Sequence, residues 1–321
     1  MKRIFILCML FSIIACNDDD KAIDVVTENL TYGAIVRTLE FENNEFYLGD
    51  SSSRFAVNIE QQDEFEGNLF EGIDVYVTFV DNTPSNGSNS SNEFLVKTIP
   101  SESFETGINN LPTHLFELNF AELLAGTNTS MAQTSCKDQF LVRLDLQLTD
   151  GRSFTTDSAS SGIIAFETFF SSPYCYTINI TQPIDQNLFT GTYVMSSVVD
   201  GPFGPTFMDL GPVEVLNSHS NTVREVFLKH TRSHPTNELP RRYEFSIVCD
   251  ELVFQKNQLS SVIAHCFNSG APILLGPDTE NAPVNPDDDS VFEIWLVEGY
   301  EGWDGSCGFG TVPSRVRFSK Q

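Results

Sequence analysis

Seven cysteines carry most of the reactive chemistry in this chain of 321 residues. A thiol can be alkylated, oxidised to a disulfide or bound to a metal, and spacing separates these outcomes. Cys8 lies inside an apolar leader and Cys16 at its end. Cys136, Cys175, Cys249, Cys266 and Cys307 are widely spaced, with no Cys-x-x-Cys among them, which argues against a metal centre. The simplest expectation is a Cys136–Cys175 disulfide, a second bridge among Cys249, Cys266 and Cys307, and one free thiol. Such usage suits an oxidising compartment. Buried reduced thiols that pack as small hydrophobes are the alternative. His230 and His234 are four apart, as for a metal held on a helix. Val223–Lys229 alternates like a strand, however, and Pro235 follows at once, so a solvated loop is expected. Asp287-Asp288-Asp289 could offer oxygen ligands to Ca²⁺, but the spacing is not that of an EF-hand loop, and a solvated acidic loop is the expectation. Gly-x-Ser-x-Gly, His-Glu-x-x-His and Gly-x-x-x-x-Gly-Lys are all missing. No catalytic residue, metal ligand or cofactor is assigned from the sequence.

A binding surface is the remaining chemistry. Tyr300 and Trp303 flank Glu301-Gly302, with Asp304 next and Gly299 and Gly305 on either side. Flat rings on a glycine-rich loop can stack on a sugar ring or a peptide side chain, with a carboxylate as polar partner. The segment is therefore expected to bind ligand through Tyr300, Trp303 and Asp304. The competing account is that both rings cap a core. Trp295 is out of phase with Phe292, Ile294 and Leu296, so it faces away from the apolar side of its strand.

The leader gives an address. Met1-Lys2-Arg3 is a short basic start, Ile4 to Ile14 is apolar, and Ala15-Cys16 precedes the acidic Asn17-Asp18-Asp19-Asp20. That order describes a secretory signal too short to span a bilayer. Ile13-Ile14-Ala15-Cys16 resembles the bacterial lipobox, in which the thiol takes a diacylglycerol and the preceding peptide is removed. Residues 1–15 are thus expected to be a signal peptide and 16–30 an acidic tether, with Cys16 lipidated. Loss of Met1–Ala15 removes Lys2 and Arg3 and moves the formal charge from −26 to about −28. So acidic a chain is unsuited to nucleic acid or anionic lipid.

The rest reads as β. In 54–60, Phe55, Val57 and Ile59 alternate with polar neighbours. Ile73, Val75, Val77 and Phe79 share a face, as do Val142, Leu144, Leu146 and Leu148. Asp150-Gly151 marks a hairpin turn, Asn82–Asn92 a flexible loop, and Phe120–Ala125 the one helical cluster. A second strand set follows Pro183, with 191–199, 223–229, 242–248, 291–297 and 314–319 as candidates. The expected fold is all-β: an Ig-like β-sandwich over 31–182, then a β-sandwich or barrel over 183–321, meeting near Gln182–Gln186.

The leader, together with 33–39, 55–60 and 73–81, resembles the surface lipoproteins of Bacteroidetes. The match is to the Ig-like N-terminal module of accessory lipoproteins of starch-utilisation-type uptake loci. It covers roughly Thr31 to Ile180. It implies an outer-membrane, cell-surface protein, lipid-anchored, that binds oligomeric nutrient (oligosaccharide or peptide) without turnover. It also implies an outer-membrane transporter and its lid lipoprotein as partners. Asn17 stands where such export signals usually carry Lys or Gln. A structural or adhesive module without small ligand, and a hydrolase with an unrecognised site, are the alternatives.

Overall fold

The computed structural model describes residues 32–165, 168–208, 211–233, 239–261, 266 and 272–321. The segments expected to be signal peptide and acidic tether, Cys16 among them, and His234 lie outside the described residues. The fold is all-β. The strands of the first part are β1 (Ile35–Asn43), β2 (Glu45–Tyr47), β3 (Arg54–Gln62), β4 (Phe70–Val80), β5 (Phe94–Pro100), β6 (Glu105–Thr106), β7 (Pro112–Asn119), β8 (Gln139–Leu148), β9 (Ser153–Phe154) and β10 (Cys175–Thr181). They form two sheets, β1-β3-β7-β6 and β2-β10-β8-β4-β5 with β9 on the side of β8. All neighbours are antiparallel except β2, which runs parallel to β10. Period-two alternation turns Val75, Val77, Val142, Leu144, Phe55 and Val57 inward, where they are fully or almost fully buried between the sheets. The helix α1 (Phe120–Gly126) closes one end. Its Phe120 and Leu123 are buried, and Phe120 stacks on Phe46 with ring centres 4.7 Å apart. Gly151 takes φ 86 in the turn after β8, a conformation that favours glycine.

The second part is a single ten-stranded antiparallel sheet. It contains β11 (Gly191–Val199), β12 (Pro212–Asn217), β13 (Val223–Leu228), β14 (Arg241–Val248), β15 (Glu251–Phe254), β16 (Gln258–Leu259), β17 (Leu274–Pro277), β18 (Ala282–Pro283), β19 (Val291–Glu298) and β20 (Val312–Lys320). The order is β16-β17-β19-β20-β11-β12-β13-β14-β15-β18. The last strand pairs with the first of this part, and β15 comes back against β19, so the sheet curls on itself. Aromatic rings fill the interior. Phe292 stacks on Phe318 at 5.0 Å and meets Tyr193 edge-on at 5.1 Å. Trp295 is half-buried and packs against the second core, its Nε1 donating to Glu293 and its ring covered by Arg315 at 3.9 Å.

Arg224 is wholly buried. Its guanidinium donates to the carbonyls of Leu188, Asn221 and Val223, fixing the segment that leads into β11. Burial pulls it down to about 10.

The expected Cys136–Cys175 bridge does not form. Cys136 is bonded to Cys249, Cys266 to Cys307, and Cys175 is free. The register gives the reason. Cys175 lies opposite Arg143 at one end of the β10–β8 pair, while Cys136 precedes β8 at the other end, beyond Gln139 and Asn179. At about 3.3 Å per residue the two are roughly 20 Å apart, far outside disulfide reach. Cys249 instead sits in the two-residue turn between β14 and β15, at φ 62, and presents its sulfur to the first sheet pair.

Candidate functional site

The two β parts meet along a mixed polar seam. On one side, Cys136–Cys249 is flanked by Lys137, whose ammonium pairs with Asp250 at 2.7 Å and Glu251 at 2.8 Å. Thr181 donates to the carbonyl of Ile247 at 3.2 Å. On the other side, Ser220 joins Asn43 and Asn44, and Thr222 donates to the fully buried carboxyl of Glu45. Burial drives Glu45 up from 4.5 to about 7, against the pull of Thr222, His219 and Arg224, and its Oε2 has no partner.

Between these contacts lies a cleft of about 240 Å³. β1 contributes Thr38 and Phe41. β10 contributes Cys175, Tyr176, Thr177 and Asn179, and β8 contributes Gln139. The turn after β15 adds Gln255, Lys256 and Asn257, and the turn after β17 adds Asp278, Thr279 and Asn281. Strand alternation puts Thr177 and Asn179 on one face of β10. The Tyr176 hydroxyl hydrogen-bonds Thr38 Oγ1 at 2.9 Å, and burial pushes it well above its ordinary value. Gln139 Nε2 donates to Asn179 Oδ1 at 2.9 Å, and Lys256 Nζ to Thr177 Oγ1 at 3.2 Å. Asn257 stands at φ 58, and its Oδ1 is buried without a partner. The packing around Cys175 pushes its thiol up, against the pull of Thr156 and Lys256. A second hollow of about 330 Å³ adjoins at Thr38 and Phe41, lined by Glu40, His219, Glu225 and Arg242. His219 stacks on Phe41 at 5.0 Å, with Nδ1 3.4 Å from Glu244. Burial opposes the charge of Glu244, but His219, Arg242 and Ser218 outweigh it and hold its pKa low.

Tyr300 and Trp303 do not stand clear of the protein. Both are half-buried and pack on a cluster of Ile164, Ala165, Leu259 and Leu274, which spans the two β parts. The Tyr300 ring fills the space over Gly276, where a Cβ would come within 2.2 Å of it. Asp304 pairs with Ile273 in a short bridge and accepts from the N–H of Gly310 at 3.0 Å. The loop is thus built into the framework beside the cleft.

His230 is fully buried, not in a solvated loop. Its Nδ1 accepts from the N–H of Arg232 at 3.1 Å, which fixes the proton on Nε2, and Nε2 donates to Glu298 at 2.9 Å. Glu298 also accepts from Thr206 at 2.8 Å, and solvent reaches neither side chain. Asp289 is likewise structural. It accepts from the N–H of Phe189 and the hydroxyl of Tyr193, and pairs with Lys320. Among the described residues, no three His, Cys, Asp or Glu side chains are placed to hold a metal.

No protein-family model matches this chain. No curated protein matches it either. The sequence signals for the cleft were weak. Gln139, Asn179 and Asn257 come from three distant segments, and only their fold brings them together.

Proposed function

We propose that this is a lipid-tethered binding protein of the cell envelope that holds its ligand in the cleft between its two β parts and does not transform it. The observation that carries the reading is the cleft itself: a concave site at a junction of two β units, with aromatic floor and convergent polar side chains. The leader and Ala15-Cys16 supply the anchor, and the resemblance to accessory surface lipoproteins supports an outer-membrane address and a glycan or peptide ligand. A transporter and its lid lipoprotein are the partners that this reading implies. Binding without turnover is favoured because the His230–Glu298 pair is sealed from solvent and His219 is stacked on Phe41, so neither is poised toward the cleft as a general base.

In this reading the half-buried Tyr300 and Trp303 pack on the cluster of Ile164, Ala165, Leu259 and Leu274, with Asp304 holding their loop, and take no part in lining the cleft. Calorimetry of the anchor-free protein against soluble oligosaccharides and peptides tests it, with Thr279→Trp as a variant that blocks the rim. Binding that disappears in the blocked variant, with no product released on long incubation, is the expected result. Undiminished binding in that variant would remove the cleft from the account, and product release would make the protein an enzyme.

A further inference from the structure

Strand β10 is paired along its whole length on one side and only half covered on the other. We infer that the cleft takes an extended peptide, added as a further strand along the open edge of β10. The inference rests on the reading of the cleft as the ligand site and narrows its ligand from glycan or peptide to peptide.

The ladder bonds identify the open groups. Leu144 N–H donates to the carbonyl of Tyr174, and Ile180 N–H donates to that of Asp138. Even-numbered residues of β10 therefore bond β8, and the odd-numbered ones turn their N–H and C=O away from it. On that far side β2 pairs with Asn179, Ile180 and Thr181, and Leu48 N–H donates to the carbonyl of Thr181. β2 reaches no further. The N–H of Asn44, next in line toward Thr177, goes to Ser220 Oγ at 3.0 Å. Among the described residues, nothing pairs with the backbone N–H and C=O of Cys175 or Thr177. Both residues line the cleft, and so does Asn44. The cleft thus lies where β2 would run if it continued.

Two donors and two acceptors are left there, repeating at about 6.8 Å, the length of two strand residues. An open strand edge is a template for another backbone. Strand addition draws affinity from main-chain bonds and selectivity from alternate side chains. A sugar hydroxyl serves one such group at a time, whereas a second backbone repeats donor and acceptor at the same interval. The pleat sets what the side chains of the guest meet. One set faces Tyr176 and Phe41, whose rings meet edge-on at 5.7 Å. The other lies on the side of Thr177 and Lys256, where the ammonium donates to a neutral hydroxyl and keeps its charge available. An apolar residue next to one with a side-chain carbonyl or carboxylate matches both sides. The hollow that shares Thr38 and Phe41 with the cleft gives the peptide room to run on.

The test captures members of a library of acetylated, amidated octapeptides without cysteine on the mature protein, then measures the captured sequences by calorimetry. Methylating the backbone nitrogens of a captured peptide one at a time should weaken binding at least about fivefold, the measure of one hydrogen bond, at two positions two residues apart. The position between them should tolerate the methyl group. Bound peptide should also slow alkylation of the free Cys175 thiol by iodoacetamide. Thr177→Pro deletes one open donor without breaking a bond to β8 and should weaken binding by a similar factor. The methylated peptides read the same bond on the native protein, so the outcome does not hang on the folding of that variant. Losses at consecutive positions, or at none, would overturn strand addition and leave the cleft standing. Peptide binding that neither shields Cys175 nor responds to Thr279→Trp would overturn the cleft reading itself. Capture of no peptide would overturn the inference outright, and so would a concentration-dependent dimer abolished by Thr177→Pro, which would make a second copy of this chain the guest.

Discussion

Glu45 makes the seam between the two β parts sensitive to pH, and the size of the effect follows from its burial. The side chain is fully enclosed, Thr222 donates to one oxygen, and the other oxygen has no partner. His219 and Arg224 act on it from the second part and fail to offset desolvation; Tyr47 beside it is also pushed up, by its own burial first and by the Glu45 charge second. A carboxyl raised in the native state favours folding while protonated. That advantage is fully present below the unfolded value of 4.5 and is lost as pH rises through about 7. The loss approaches about 3 kcal/mol, at 1.36 kcal/mol per pH unit. Glu45→Gln keeps an oxygen for the Thr222 hydroxyl and cannot ionise. Urea unfolding of both proteins at pH 5 and pH 8 isolates the effect, because all other titrations cancel in the difference. The variant should gain about 2–3 kcal/mol on the native protein between the two pH values. Parallel stability profiles across this range would refute the argument, since they would mean that Glu45 ionises in the folded state as easily as in the unfolded one.

Replacing Cys136 and Cys249 together by Ser should destabilise by about 4–5 kcal/mol in the chain-entropy account, given a sequence separation of 113; a denaturation midpoint that does not move would count against it. Phe292→Ala should cost about 3–5 kcal/mol, because its ring touches Phe189, Tyr193 and Phe318 in the second core; a calorimetric melt reads this directly. Trp303→Ala should lower the melting temperature by several degrees, as its half-buried ring packs on the Ile164 and Leu274 cluster; an unchanged melt with abolished ligand retention would instead make the ring a binding platform. Mass spectrometry of the mature N-terminus should find lipid on Cys16, and Cys16→Ser should release the protein or leave it unprocessed; an unmodified Cys16 would remove the anchor.

Strict alternation made the central strands legible. Phe55-Ala56-Val57-Asn58-Ile59 and Ile73-Asp74-Val75-Tyr76-Val77 announce β3 and β4 because one face of each must be buried. Gly191–Val199 was readable end to end as β11. Short pieces such as β2, β6, β16 and β18 were not, since two or three residues show no period. β12 also hides, because only Val215 of its six residues is buried. Cysteine pairing failed for a different reason. Proximity in sequence suggested Cys136 with Cys175, but strand register puts them at opposite ends of one ladder. The three glycines around Tyr300 and Trp303 looked like open space beside the rings. The space is instead on β17, where Gly276 lies under Tyr300, and nothing local to the loop reveals a glycine on another strand. The cleft residues share that obscurity: Gln139 and Asn257 are ordinary strand-end and turn residues until the chain folds.

The Cys136–Cys249 bond also bears on how such a chain can diversify. Each half holds a complete core of its own, which in principle suits it for shuffling among unrelated proteins. The bond opposes this. A gene fusion that kept only the first half would inherit an orphan thiol at Cys136 and a buried acid at Glu45 suddenly open to solvent. One that kept only the second would inherit the same defect at Cys249 on an exposed hairpin. Exchange is therefore costly unless both halves travel together, and descendants of this architecture should carry the two cysteines as a linked pair, present together or lost together.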